Sequence, residues 1–254
     1  MTTQDQRYYL SYETRRGKLE REYTVKLSRE INKAINQQLP IMLESGGNSI
    51  QGVDMRGVTQ TLIDLYTETF VSFASWTYRH LRRKTKDVAR DIANTFSQRA
   101  SDWVTQNGSS KIQGINNTII EQTNSIISNA LAQSLTLKET TELLNREINA
   151  YSLNRAKVIA RTETTAAAGI SSLQAAGIIN TETGGIVRKK WITAIDGRER
   201  ATHRQVMFDT AQGIKLEDDF NVGTDVMHSC GRGSEAKENV NCRCAIGYVI
   251  LRDD

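Results

Sequence analysis

The 254-residue sequence contains a single proline, Pro40. Proline fixes φ and lacks a backbone donor, so its scarcity fits long helices and few rigid turns. Aromatic residues are also sparse at 6%, and hydrophobic residues, at 38%, fall below the usual share for a soluble domain. Such a chain buries a lean core. That suits an elongated helical protein, or one that completes its burial on a partner, better than a compact enzyme. Cysteines number three, an odd count that leaves at least one thiol outside any disulfide. The first six residues have no basic end followed by an apolar block, so no secretory signal is expected there and the starting compartment is the cytoplasm. Free thiols or metal ligands are then the expected fate of the cysteines. Nothing approaches the roughly 18 uninterrupted apolar residues of a membrane span. The net charge of +4 is mild. It is evenly spread, with 19 basic and 16 acidic residues up to residue 150 and 14 and 13 after it. Bulk electrostatics therefore do not demand nucleic acid. Neither a phosphate-cradling Gly-x-x-x-x-Gly-Lys-Ser/Thr loop nor a dinucleotide fingerprint occurs.

What is present in the front half is helical periodicity. Over residues 7–39, Leu19, Tyr23, Leu27, Ile31, Ala34 and Ile35 recur at three- and four-residue steps with charges between them. Leu39-Pro40 should end that helix. A second helical region is expected from Asp54 to about Val104. It carries a cationic run of Arg79, Arg82, Arg83, Lys84, Lys86 and Arg90. This run is a candidate patch for DNA phosphates or an acidic partner, weighed against a plain solvated helix face. Asn107-Gly108-Ser109-Ser110 reads as the next break, before a third helix marked by Ile112, Ile115, Ile119, Ile126, Ile127, Leu131 and Leu135. Thr136 and Glu139 have the spacing of a capping box. A helix through Ile148 should follow, then another from Leu153 to Ala176, capped by Ser152 and stopped at Gly177. The last contains Arg161, Glu163 and the small run Ala166-Ala167-Ala168-Gly169, which permits close approach of another element.

Beyond Gly184-Gly185 the period changes. Residues 186–194 alternate as a strand, with Val187, Lys189, Trp191 and Thr193 on one side. Asp196-Gly197 forms a turn, a short helix around residues 201–207 carries His203, residues 208–240 read as irregular loop, and residues 243–251 return as a strand. The expected fold class is α+β. A mostly α-helical, elongated N-terminal region (1–134) precedes a smaller α+β domain (135–254) with a short antiparallel sheet.

His203, Cys230, Cys242 and Cys244 have the ligand chemistry of a zinc site. Cys242 and Cys244, two apart, project to one face of a strand. Small buried thiols in a tight core are the alternative. Cys230 beside His228 is the only local nucleophile–base pair, and Asp196, Glu199, His203 and Asp225 could serve a metal-dependent nuclease. A metal-dependent nuclease or transferase centred on His203 and the C-terminal cysteines is thus the competing reading. Apart from zinc, no cofactor is expected.

The ordered series Arg161-Thr162-Glu163, the small-residue helix, Lys190-Trp191-Ile192-Thr193, Asp196-Gly197-Arg198, His203 and Asn241-Cys242-Arg243-Cys244 resembles the phage Mu F-like head-morphogenesis family of tailed-phage minor head proteins. The resemblance covers about residues 135–250. It implies a non-enzymatic virion component in the interior of the phage head, near the portal vertex. Such a component is assembled in the host cytoplasm and engaged in head assembly and in DNA packaging or ejection. Its implied partners are the portal protein, the major capsid or scaffold protein, and packaged DNA, with no membrane. Relatives often carry a proline in the segment 208–239, and this chain has none there. On this reading Arg161, Glu163, Trp191, Asp196, Arg198, His203 and Arg243 form one buried polar scaffold around Trp191, and Arg161→Ala should prevent folding of the C-terminal domain.

Overall fold

The computed structural model describes residues 2–85 and 93–251. Helix α1 (Thr3–Asn36) ends close to the point expected from Leu39-Pro40. Pro40 sits in the first turn of a short helix α2 (Leu39–Glu44), where its missing N–H would have had no helical partner. Helices α3 (Arg56–Thr85) and α4 (Ala93–Leu131) follow. The expected break at residues 107–110 is absent. Gly108 lies inside α4, its Cα side packed near Val104 and Ile112, so apolar contacts at helical spacing override its poor propensity.

Helix α5 (Leu137–Glu182) is one continuous element rather than two. Its start is the expected capping box: the Glu139 backbone N–H donates to Thr136 Oγ1 at 3.3 Å, and the Thr136 N–H donates to Glu139 Oε2 at 2.9 Å. Ser152 is fully buried within the helix instead of capping one, and Gly177 continues it. The stop comes at Gly184 and Gly185, both at positive φ. There the Gly185 N–H closes back on the Asn180 carbonyl at 2.8 Å, the six-to-one bond of a Schellman end. Asn180 Oδ1 then accepts from the Val187 N–H at 2.8 Å and launches the first strand.

Strand β1 (Val187–Ile192) pairs antiparallel with β5 (Ala245–Ile250), placing Trp191 opposite Ile246, and on its other edge with β2 (Ile214–Lys215). The sheet order is β2-β1-β5. Between β1 and β2 lies α6 (Ala201–Asp209). The stretch expected as irregular loop holds more structure than its Gly and Asp content suggested. A hairpin of β3 (Phe220–Val222) and β4 (Asp225–Met227) precedes a turn of helix α7 (Ala236–Asn239). Asp225 organises this region: its carboxylate accepts from the backbone N–H groups of Val226, Ser234 and Glu235 and from the Ser234 hydroxyl. The α+β class is as expected.

The boundary expected at residue 134 is not where the chain divides. One compact unit comprises Met1–Glu20, Leu65–Ser101 and Arg161–Asp254; the other comprises Arg21–Asp64 and Asp102–Ala160. A 20-residue helix already spans about 30 Å, the width of a small domain. The four long helices are 30 to 46 residues long, so each supplies both cores. The all-helical unit buries Leu27, Ile31, Ile35, Leu62, Ile119, Ile127 and Ile148. Within it, Asn124 clamps Ile50 by bonds to both its N–H and its carbonyl. In the α+β unit, the Tyr8 hydroxyl donates to the Ile246 carbonyl at 2.9 Å, and that of Tyr9 to the Arg243 carbonyl at 3.2 Å. The sheet is thereby tied to the first turns of α1. No helix among the described residues is long and apolar enough to cross a membrane.

Candidate functional site

The site is built where α6, α7 and the entry to β5 converge. His203 is held on the inner face of α6 with Val206. Its Nδ1 lies 3.2 Å from Cys244 Sγ and 3.8 Å from Cys242 Sγ, and its Nε2 lies 3.1 Å from Glu238 Oε2. Glu238, on α7, also accepts from Thr202 Oγ1 at 2.9 Å. Trp191 closes the floor, edge-on to His203 at 5.3 Å and to Phe220 at 5.2 Å. The Trp191 backbone N–H donates to Thr210 Oγ1 at 3.0 Å, which holds the end of α6 against β1. Asn241 takes positive φ just before the two cysteines, and its N–H reaches Thr162 Oγ1 on α5 at 3.1 Å. The Cys242 carbonyl accepts from Thr165 Oγ1 at 2.8 Å. The small residues of α5 act as expected: a Cβ on Gly169 would sit 3.1 Å from the Cys230 carbonyl, and one on Gly231 3.3 Å from the Ala166 nitrogen.

Of the four residues expected as zinc ligands, the structure groups His203, Cys242 and Cys244, whose ligand atoms all lie within 4.8 Å of one another. Cys230 is equally buried but stands outside that group. The hydrogen bond from Cys244 and the adjacent His203 hold the Cys242 thiol well below its ordinary range, against burial. Burial and the neighbouring Cys242 push Cys244 well above it. Burial does the same to Cys230. All four side chains are at most 3% exposed, so none presents an atom to a substrate. His228 is exposed, with Nδ1 2.8 Å from Asp219, while Cys230 is buried; Asp225 is committed to its loop. Such a buried set can hold the fold together or bind an ion.

The seven residues expected to form one polar scaffold fall into separate groups. Trp191 and His203 belong to the buried centre. Asp196 pairs with Arg198 at 3.0 Å and with Arg243 at the surface. Glu163 accepts from the buried Tyr66 hydroxyl at 2.9 Å. Arg161 makes a bidentate contact with Glu20, at 2.9 and 2.8 Å, and its side chain is 34% exposed. The reason is geometric: residues 161 and 163 point about 200° apart on one helix and meet different neighbours. Arg16, Glu20 and Glu238 are the partners that sequence reasoning missed. The spacing of Glu13, Arg16 and Glu20, three and then four residues apart, carried the signal for the first pair. Nothing local marked Glu238.

Lys189 is a further buried group, fully enclosed on β1, with Nζ donating to the His228 carbonyl at 2.9 Å and lying 4.8 Å from the Phe220 ring. Burial pushes its pKa down to about 8, partly offset by Asp219, Cys230 and nearby acidic residues. Its folded pKa is below the unfolded value, so the unfolded chain binds more protons between about pH 8 and 10.5. Stability should therefore rise with pH across that window, by about 2 kcal/mol after allowance for screening. Urea denaturation of the wild type and Lys189→Met at pH 7.5 and 10 (roughly the ends of the window) should show the rise only in the wild type. Parallel curves would remove Lys189 as its source.

Within the expected cationic patch, Arg79 is exposed and its Nε donates to the Ser75 carbonyl at 3.1 Å. Arg82 is only 7% exposed, with its guanidinium 5.1 Å over the Tyr78 ring, so it is part of the core and not of a phosphate-facing surface. Only the helical backbone of Arg83 and Lys84 is described, and Lys86 and Arg90 lie outside the described residues. Sequence order concealed a contribution from α1. Arg15 lies 5.8 Å over the Trp76 ring, which stacks on His80 at 5.9 Å, and burial together with the charge of Arg79 lowers the Arg15 pKa.

The profile of the family described as Phage Mu protein F like protein matches residues 121–247, half of the chain. That span contains Trp191, His203, Glu238 and both closing cysteines. The minor head protein GP7 of Bacillus phage SPP1 is 32% identical over 132 residues, which cover 49% of this chain and 40% of that relative. The chain thus matches about two fifths of the relative's length. No solved structure matches significantly. With half of its length matched, including the whole buried centre, the chain belongs to the Phage Mu protein F like family.

Proposed function

We propose that this protein is a minor head protein of a tailed bacteriophage, a structural component of the virion that acts in head assembly at the portal vertex. The observation that carries the reading is the family match over residues 121–247, which spans a centre whose reactive side chains are sealed from solvent. A sealed centre suits a fastening role and not a nuclease or transferase. The portal protein is the first partner, with the major capsid or scaffold protein beside it.

Contact with packaged DNA is a second element of this role, favoured by the Arg15–Trp76–Arg79 grouping. The two guanidinium groups lie near enough for the charge of Arg79 to lower the Arg15 pKa, and a pair of neighbouring cations of this kind neutralises phosphates. The test is co-sedimentation of the purified full chain with isolated portal rings, alongside DNA binding at two salt concentrations. Retention on the rings is expected. Neutralising two phosphates predicts a DNA affinity that falls roughly tenfold for a fourfold rise in salt, with the dependence removed in Arg15→Glu/Arg79→Glu. A chain that ignores portal rings yet cleaves or modifies DNA through His203 would overturn the assignment.

A further inference from the structure

We propose that His203, Cys242 and Cys244 bind a single Zn2+ ion that locks α6 and α7 to the start of β5. Three independent features of the geometry lead there. The first is ligand type and spacing. Tetrahedral zinc with Zn–S near 2.3 Å and Zn–N near 2.05 Å requires an N···S separation of about 3.6 Å. The two observed separations from His203 Nδ1, 3.2 and 3.8 Å, bracket it. Small movements of either thiol complete the geometry.

The second feature is the far side of the imidazole. His203 Nε2 lies 3.1 Å from the Glu238 carboxylate, itself only 5% exposed and steadied by the Thr202 hydroxyl. A carboxylate there accepts a hydrogen bond from the Nε2–H, which fixes the tautomer and leaves the Nδ1 lone pair toward the two sulfurs. This is how metal-bound histidines are oriented by their outer partners. The third feature is charge. Two thiolates and one divalent cation sum to neutrality, which makes full burial of all three ligands affordable. Closed burial assigns the ion a structural role, and thiolate donors favour zinc over hard cations such as magnesium.

The experiment uses the full chain refolded with and without one equivalent of ZnCl2, with metal content measured after gel filtration. One zinc per chain is expected, with a raised melting temperature that a chelator reverses. Cobalt substituted for zinc should give the intense sulfur-to-cobalt charge-transfer band of thiolate ligation, reduced in Cys244→Ser. Glu238→Gln keeps all three ligands and should weaken zinc affinity roughly 10–100-fold. This variant guards against the chance that cysteine variants fail to fold. A folded wild-type chain that retains no zinc, shows no cobalt–thiolate band and melts unchanged with added metal would overturn the proposal. So would Glu238→Gln binding zinc as tightly as the wild type.

Discussion

Trp191→Ala should destabilise the α+β unit by about 3–5 kcal/mol, the cost of emptying a large aromatic site in a core. For a chain of this size, that is a fall in melting temperature of roughly 6–20 °C. Trp191 is 1% exposed and touches both His203 and Phe220 edge-on, so its removal opens a void between the sheet and the β3–β4 hairpin. Its own strand cannot collapse into the space, because the backbone is pinned by the pairing with Ile246 and by the Thr210 hydroxyl. Trp191→Phe retains most of the volume and should lose less than half as much. Differential scanning calorimetry of the two variants separates the outcomes. An unchanged transition in Trp191→Ala would mean that the centre is not packed as described.

Arg16→Ala should cost about 3 kcal/mol, by the different route of stranding the half-buried Glu20 carboxylate and the more exposed Glu13. The Arg16 guanidinium is 1% exposed; it grips Glu13 through Nε and Nη2 at 2.8 and 2.7 Å and Glu20 through Nη1 at 2.5 Å. Arg161 reaches the other oxygen of Glu20 but is one-third exposed. Arg161→Ala should therefore cost only about 1.5–3 kcal/mol, the range for a hydrogen bond to a charged group. It leaves a folded chain, contrary to the folding failure that its sequence context suggested. Burial alone would raise the Glu20 pKa, yet the bonds and charges of Arg161 and Arg16 hold it below the ordinary value of 4.5. The stabilisation is thus complete above the unfolded-state value and lost as pH falls through the lower folded one. Acid titration monitored by circular dichroism should show Arg16→Ala and wild type converging at low pH. A constant gap between them would mean that Glu20 is not the group that titrates.

The sequence announced some of these features and concealed others, for physical reasons. The alternation of Val187, Lys189 and Trp191 marked a strand face correctly, because a two-residue period leaves a sharp trace even when one of its members is a lysine. Thr136 and Glu139 announced a helix start, because a capping box is local chemistry. Glycine and serine misled wherever tertiary packing opposed their preference. Gly108, Ser152 and Gly177 all lie inside helices whose neighbours outweigh a propensity cost of at most about 1 kcal/mol each. Small strands hid in residues 208–240 because two- and three-residue ladders leave no period to detect. In the site, the residue types His203, Cys242 and Cys244 were visible in order. Their convergence with Glu238, and the exclusion of Cys230 from the group, depended on a hairpin and a helical turn that no local pattern encoded.

The three-part composition of the α+β unit also sets a timetable for its synthesis. The Tyr8 hydroxyl and the Ile246 carbonyl that accepts its hydrogen bond are 238 residues apart along the chain. At translation rates of about 5–20 residues per second, roughly 12–50 s separate their emergence from the ribosome. For that interval the tyrosine-rich face of the first helix has no β5 to cover it and is available to chaperones or to other nascent chains. Completion of the unit therefore waits for β5, and for that interval the first turns of α1 lack their native sheet neighbours.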